Sequence, residues 1–424
     1  MKTKIKNTVI AMFIGAASQL SIAQSGKSVL QQVIVLNEGK YRTQATVGSY
    51  YPSTKTYQIF DMIKARFASD VIIDSGFIFV AADSLLLKYD LNTKQRLLSK
   101  TVEGIRELAV WNNQILVTRA ATFSLTSYFQ VYDKDNLNFL YELTDLSGKA
   151  AEVKVLNDTA YIAVNNWGTM GKLAVVDLKN KKLSREIDLG KDGLNPETVE
   201  IEKASGKVFT VNNLDWSNAS VTKYDVTTAA FKSVSLNQAS GCNGSKLYLN
   251  NVYLQASGKK DIDVFSTVGS SIFQTLSINK SLYGLGVDPV NGYLYVGNTD
   301  YSTYGKVFIY DVYGVAIDSF KVDISPGSFA FDVRTTAGIA ENTISSEISV
   351  YPNPVKNELR VSFNSQKNSS ANITLTDILG RIIYTSNNKT SANTVIPMQN
   401  LNNGIYILKV ETESEVITKK IVKE

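Results

Sequence analysis

A strand that ends in Tyr-Asp or Val-Asp recurs along this chain at nearly constant intervals. Lys88-Tyr89-Asp90, Val131-Tyr132-Asp133, Val175-Val176-Asp177, Lys223-Tyr224-Asp225 and Ile309-Tyr310-Asp311 carry it; Val264-Phe265-Ser266 takes the sixth place and Ser49-Tyr50-Tyr51-Pro52 is a degenerate first copy. From Asp90 onward the copies lie 43, 44, 48, 41 and 45 residues apart. That is the length of four short antiparallel strands with their turns. One such sheet cannot bury both of its faces, so copies must stack, and closing the stack into a ring hides most strand edges. The spacing therefore predicts an all-β chain with a seven-bladed β-propeller over residues 31–333.

The fourth copy parses most clearly. Glu152–Leu156 is its inner strand, Ala160–Val164 the second, Leu173–Asp177 the third and Leu183–Ile187 the outer one, with turns at Asn157-Asp158 and Lys179-Asn180-Lys181. After the seventh outer strand, near Ala316 to Val322, the strand-like run Ser328–Val333 has no blade of its own. It is expected to pair with Val33–Leu36 and so close the ring. Residues 334–347, rich in Thr, Ser, Ala and Glu, read as a linker to a second domain.

That second domain, 348–424, opens with Tyr351-Pro352-Asn353-Pro354. It continues with alternating strands at Glu358–Phe363 and Ile373–Thr376, a turn at Asp377–Arg381, a hairpin signal over Leu401–Val410 and a last strand ending in Lys419–Glu424. In this order the landmarks resemble the type A C-terminal sorting domain of the Bacteroidetes type IX secretion system, which implies a small Ig-like β-sandwich, the secretion machinery as partner and an extracellular or cell-surface destination. At the other end, Lys2, Lys4 and Lys6 precede an apolar run from Val9 to Ala17, and Ser21-Ile22-Ala23 offers a cleavage site, so residues 1–23 read as a signal peptide. The apolar run is too short for a stable membrane anchor, and no transmembrane segment is expected in the mature chain.

Composition narrows the chemistry. The chain has no histidine, which removes Ser/His and Cys/His nucleophile pairs and His metal clusters. Its one cysteine, Cys242, cannot form an internal disulfide and reads as a small buried residue. Removal of residues 1–23 takes away three lysines and no acid, lowering the formal charge from +5 to +2. So nearly neutral a surface gives no case for nucleic acid. No cofactor or metal is expected.

In a propeller, the loops between second and third strands share one face with the connections between blades. This gathers Tyr41 and Arg42, Phe123, Asn166, Trp167 and Met170, Asn213 and Trp216, and Tyr301 and Tyr304 as candidate ligand-binding residues. Flat apolar side chains beside amides suit a large, partly planar ligand or a partner's loop. For catalysis by paired carboxylates, only Glu38, Glu103 and Glu197 come into question. The repeats resemble the YVTN or YncE-like propeller superfamily through Tyr295-Val296-Gly297-Asn298 followed by Val307–Asp311. The opening Val33–Gly39 also resembles that of Bacteroidetes surface propellers, among them corrinoid-capturing proteins. The resemblance implies non-catalytic capture of a corrinoid or similar large nutrient beside an outer-membrane transporter. A protein or matrix interaction module and a carbohydrate-active enzyme using loop carboxylates are the alternatives.

Overall fold

The computed structural model describes residues 27–336 and 348–424, apart from short segments at 41–42, 122–124, 167, 215–217, 237–239, 257–259, 364–369, 378–380, 390–393 and 413–415. The chain divides into two compact units at Arg334/Thr335. The larger unit is seven four-stranded antiparallel sheets. Blades 2 to 7 run in chain order over residues 68–101, 105–143, 149–188, 196–235, 240–276 and 282–321, with the first strand of each on the inside of the ring. Blade 1 is assembled from both ends of the unit, in the order Pro326–Thr336, Lys27–Asn37, Ala45–Tyr51, Thr56–Ile63. The run expected to close the ring does so, and it continues through Thr336. Glu38 and Gly39 donate their backbone N–H groups to Ser325 and Ile324 at 2.8 and 2.9 Å, and Gln32 Nε2 reaches Asp332 Oδ2 at 2.8 Å.

The repeated Tyr-Asp has a local cause in its aspartate. At the end of the third strand, the Asp90 carboxylate accepts from the N–H groups of Asn92 and Thr93 at 2.9 and 2.7 Å. Asp133 accepts from Asp135 and Asn136, Asp225 from Thr227 and Thr228, and Asp177 from Asn180. These side chains cap the turn into the outer strand. The 133–136 segment is thus such a turn. Ser266 does the same for Gly269 in blade 6.

The tyrosine works between blades. Tyr89 is fully buried, and its hydroxyl donates to Asp61 Oδ2 on the outer strand of blade 1 at 2.8 Å. Tyr224 of blade 5 accepts from Arg185 on the outer strand of blade 4 at 2.6 Å. These two rings fill the space between neighbouring sheets while the polar tip finds a partner on the preceding blade, whereas the Tyr132 hydroxyl donates to Gln130 on its own strand at 2.7 Å. Tyr50 instead stacks on Phe320 of blade 7, with ring centroids 3.8 Å apart, across the seam where the ring closes.

The smaller unit is a sandwich of a three-stranded sheet (Ile348–Tyr351, Glu358–Phe363, Thr394–Pro397) and a four-stranded one (Ile382–Lys389, Ser370–Asp377, Gly404–Thr412, Val416–Lys423). Its inward positions, Leu359, Val361, Ala371, Ile373, Leu375, Leu408 and Val410 among them, alternate with exposed ones and form their own core. Here one expectation needs correcting: Leu401–Val410 is not a hairpin. Thr394–Pro397 pairs with Glu358–Phe363 in one sheet, whereas Gly404–Thr412 pairs in the other, so Asn402-Asn403-Gly404 crosses between sheets. Tyr406 fixes that crossing by donating its hydroxyl to the Asn402 carbonyl at 2.9 Å.

Candidate ligand face and central channel

Each inner strand of blades 2 to 7 carries a register shift near its start, at Ala68/Asp70, Ile105/Leu108, Ala150/Val153, Pro196/Thr198, Ser240/Ser245 and Leu282/Leu285. A bulge leaves a backbone N–H without a partner in its own sheet. The neighbouring blade supplies the acceptor. Asp70 Oδ2 takes the Leu108 N–H at 3.0 Å and Glu152 Oε2 that of Val199 at 2.9 Å; the Val71 N–H goes to Asp70 Oδ1 on its own strand at 2.8 Å, and Ser328 of blade 1 donates its hydroxyl to the same oxygen at 3.2 Å. The acids lining the channel therefore stitch blade to blade.

Basic groups balance them. Glu152 Oε1 lies 2.6 Å from Lys154 Nζ and 3.5 Å from Lys246 Nζ, and Arg106 holds Glu197 at 2.6 Å. Burial works to raise the Glu152 carboxyl, but Lys154 and Lys246 outweigh it and keep it below the ordinary carboxylate range. Glu107 goes the other way: burial, then the charges of Asp70 and Glu152, outweigh Arg106 and Lys246 and push its carboxyl well above that range. Burial raises Glu200 to about 7. The space among these groups, about 40 Å³, is room for water and little more. No group of acidic, cysteine or histidine side chains among the described residues is arranged to hold a metal ion.

A carboxyl raised by folding stabilises the native state below its unfolded pKa and loses that contribution as pH rises through the folded value. Glu107→Gln is therefore expected to raise Tm by about 3 °C or more at pH 8 while leaving it nearly unchanged at pH 5. Thermal unfolding at the two pH values checks this. An equal shift at both would mean that Glu107 is not protonated by the fold.

In chain order all ten candidate ligand residues fall between the second and third strands of their blades. Tyr41, Arg42, Phe123, Trp167 and Trp216 lie outside the described residues. Cys242 lies on the strand Ser240–Tyr248, and its side chain is likewise outside them. Among the rest, Tyr301 and Tyr304 are strongly exposed, Asn166 is exposed, Met170 half-buried and Asn213 buried. The structure brings Asn213 together with two residues outside that set, Asn165 and Asn195. Asn195 Nδ2 donates to the Asn213 carbonyl at 3.1 Å, and Asn165 Nδ2 to the Pro196 carbonyl at 2.9 Å. All three asparagines are essentially inaccessible, yet their Oδ1 atoms accept no hydrogen bond among the described residues. Asn195 sits in an ordinary connection between blades, and only the fold sets it beside Asn213.

The three candidate carboxylates are engaged in different ways. Glu197 is held by Arg106, Glu38 accepts from the Tyr283 hydroxyl, and Glu103 is exposed. Burial pushes the Glu38 carboxyl up to about 7. Tyr283 in turn meets Tyr301 edge-on, with centroids 5.5 Å apart.

Residues 349–424 match the model of the family described as the secretion system C-terminal sorting domain. The smaller unit is a type IX sorting domain. It directs the chain towards the cell surface or the medium, with the secretion machinery as its partner. No helix among the described residues is long and apolar enough to cross a membrane. The fold of the chain is similar to that of hydrazine synthase from Kuenenia stuttgartiensis, at 15% identity over 64% of this chain and 96% of that one, with a TM-score of 0.53. The computationally designed protein Ika8 is similar at 13% identity over 77% of this chain and 96% of its own, with a TM-score of 0.50. At such identities the likeness concerns fold alone. No curated protein matches the chain.

Proposed function

We propose that the protein is an exported capture protein whose loop face at blades 4 and 5 binds a large ligand without transforming it. The observation that carries this reading is the trio of buried, unmatched amide oxygens on Asn165, Asn195 and Asn213. An unmet buried acceptor costs about 1–3 kcal/mol, which a ligand's N–H or O–H group recovers. Trp167 follows Asn165 by two residues and Trp216 follows Asn213 by three, so each of two equivalent loops carries, close in sequence to a buried acceptor, a flat apolar residue. A partly planar ligand edged with donors satisfies both demands. A corrinoid, whose macrocycle is fringed with amides, is the specific candidate, and an outer-membrane transporter its natural recipient.

Calorimetry of the mature chain with cyanocobalamin and with a panel of neutral oligosaccharides tests the reading. Saturable cyanocobalamin binding is expected, weakened about tenfold or more by Trp167→Ala and by Trp216→Ala, since a central aromatic contact contributes about 2 kcal/mol. Lys181→Ala, in a turn on the opposite face, should leave it unchanged. Binding of an oligosaccharide in place of cyanocobalamin would move the ligand class to glycans. Equal affinities in wild type and both Trp variants would remove this site, and silence towards every probe would overturn capture of either class.

A further inference from the structure

Away from the channel, a cleft of about 760 Å³ opens at the seam between the last blade and the first. Tyr57 and Ile59, from the outer strand of blade 1, form one wall; Tyr304 and Val322 of blade 7 face them. This volume lies within the range of small-molecule sites. Tyr57 can lie flat across its sheet because residue 48 is glycine: a Cβ there would come within 2.4 Å of the tyrosine oxygen. The ring is held in place by Asn37 Nδ2, which donates to its hydroxyl at 2.9 Å.

At the mouth of the cleft stand Lys306 and Lys321, direct register partners on adjacent strands. Like charges directly opposite each other destabilise a sheet. Neither lysine has a carboxylate partner among the described residues; the Lys306 ammonium lies 5.0 Å from the centre of the Phe308 ring. Asp323 also borders the cleft, but its carboxylate is engaged by the Thr46 hydroxyl at 3.0 Å and the Ile324 N–H at 2.8 Å. The pocket thus combines apolar walls with two adjacent cations that folding alone does not explain.

We propose that this cleft binds a small, flat organic anion, its rings against Tyr57, Ile59 and Val322 and its acidic group between Lys306 and Lys321. The bound anion relieves the lysine pair, and the apolar walls take a ring system that surface lysines alone would not retain. This site shares no residue with the face at blades 4 and 5, and it stands whether or not that face captures a ligand.

Two fluorescent probes of nearly the same shape test the inference: 8-anilinonaphthalene-1-sulfonate and its uncharged counterpart N-phenyl-1-naphthylamine. The mature chain should bind the sulfonate saturably at one site, more tightly than the neutral probe and more weakly as salt rises. Exchanging both lysines, Lys306→Gln with Lys321→Gln, should weaken the sulfonate about tenfold without changing the neutral probe. The exchange should also leave Tm unchanged or raised, because a repulsive pair is lost. Gln58→Trp, on an exposed position that borders the cleft, should block both probes. No saturable binding, equal affinity for the two probes, or sulfonate binding that survives both the lysine exchange and Gln58→Trp would each overturn the proposal.

Discussion

A chain ending at Thr336 is expected to fold its propeller and remain in the periplasm. The physical basis is the separation of the two cores. Every residue of the C-terminal core, from Val355 to Ile421, lies within the sorting domain, and none of the propeller's clusters draws on it. Removing 337–424 therefore takes away the export signal without opening the ring. Fractionation with immunodetection should find nearly all of the truncated chain inside the outer membrane and little of the full chain there. Thermal unfolding of the truncated chain should retain the propeller transition. The converse experiment attaches residues 337–424 to a periplasmic reporter, which should then reach the surface or medium. If the truncated chain appears outside as efficiently as the full one, export does not depend on this domain.

The parts of the fold that were legible in the sequence are those whose cause is local. Asp90, Asp133 and Asp225 cap turns two and three residues ahead, so the same letters recur wherever the same turn is built. The alternation in Glu358–Phe363 likewise reports one sheet facing one core. The central channel was not legible. Asp70 and Glu152 meet N–H groups 38 and 47 residues away, and each partner is exposed by a bulge that no local pattern announces. The same bulge shifts the strand's faces, so that Glu152 and Glu200 look like solvated charges in sequence and are buried in the ring. Asn402-Asn403-Gly404 misled for a related reason: turn residues signal a change of direction but not which sheet receives the next strand. In the candidate site, Asn213 could be named from its loop. Its neighbour Asn195 could not, because the two meet only when the inner strand of blade 5 pairs with the second strand.

Deleting residues 326–336 should be the most damaging change to the propeller itself. The segment is the innermost strand of blade 1, and its loss strips Lys27–Asn37 of a partner while exposing a strand edge to the channel. Phe329, almost fully buried, packs near Tyr295 of blade 7, and Ala330 joins the core between blades 1 and 2. Losing a buried phenylalanine alone costs about 3–5 kcal/mol, against a total stability of about 5–15 kcal/mol for a domain. The Gln32–Asp332 and Ser328–Asp70 bonds are lost as well. The deleted chain should therefore be unfolded or melt at least about 15 °C lower. A rearranged chain separates the loss of this strand from the mere shortening of the protein. Because Glu38 and Gly39 bond to Ser325 and Ile324, the two strands run antiparallel, and the end of one at Thr336 lies beside the start of the other at Lys27. Residues 326–336 placed ahead of Lys27 through a short Gly/Ser turn should then rebuild blade 1 as a consecutive sheet and recover most of the lost stability. Unchanged unfolding in the deletion would show that another strand closes the ring. Failure of the rearranged chain to recover would show instead that the covalent link from blade 7 into blade 1, and not the strand's packing, holds the ring shut.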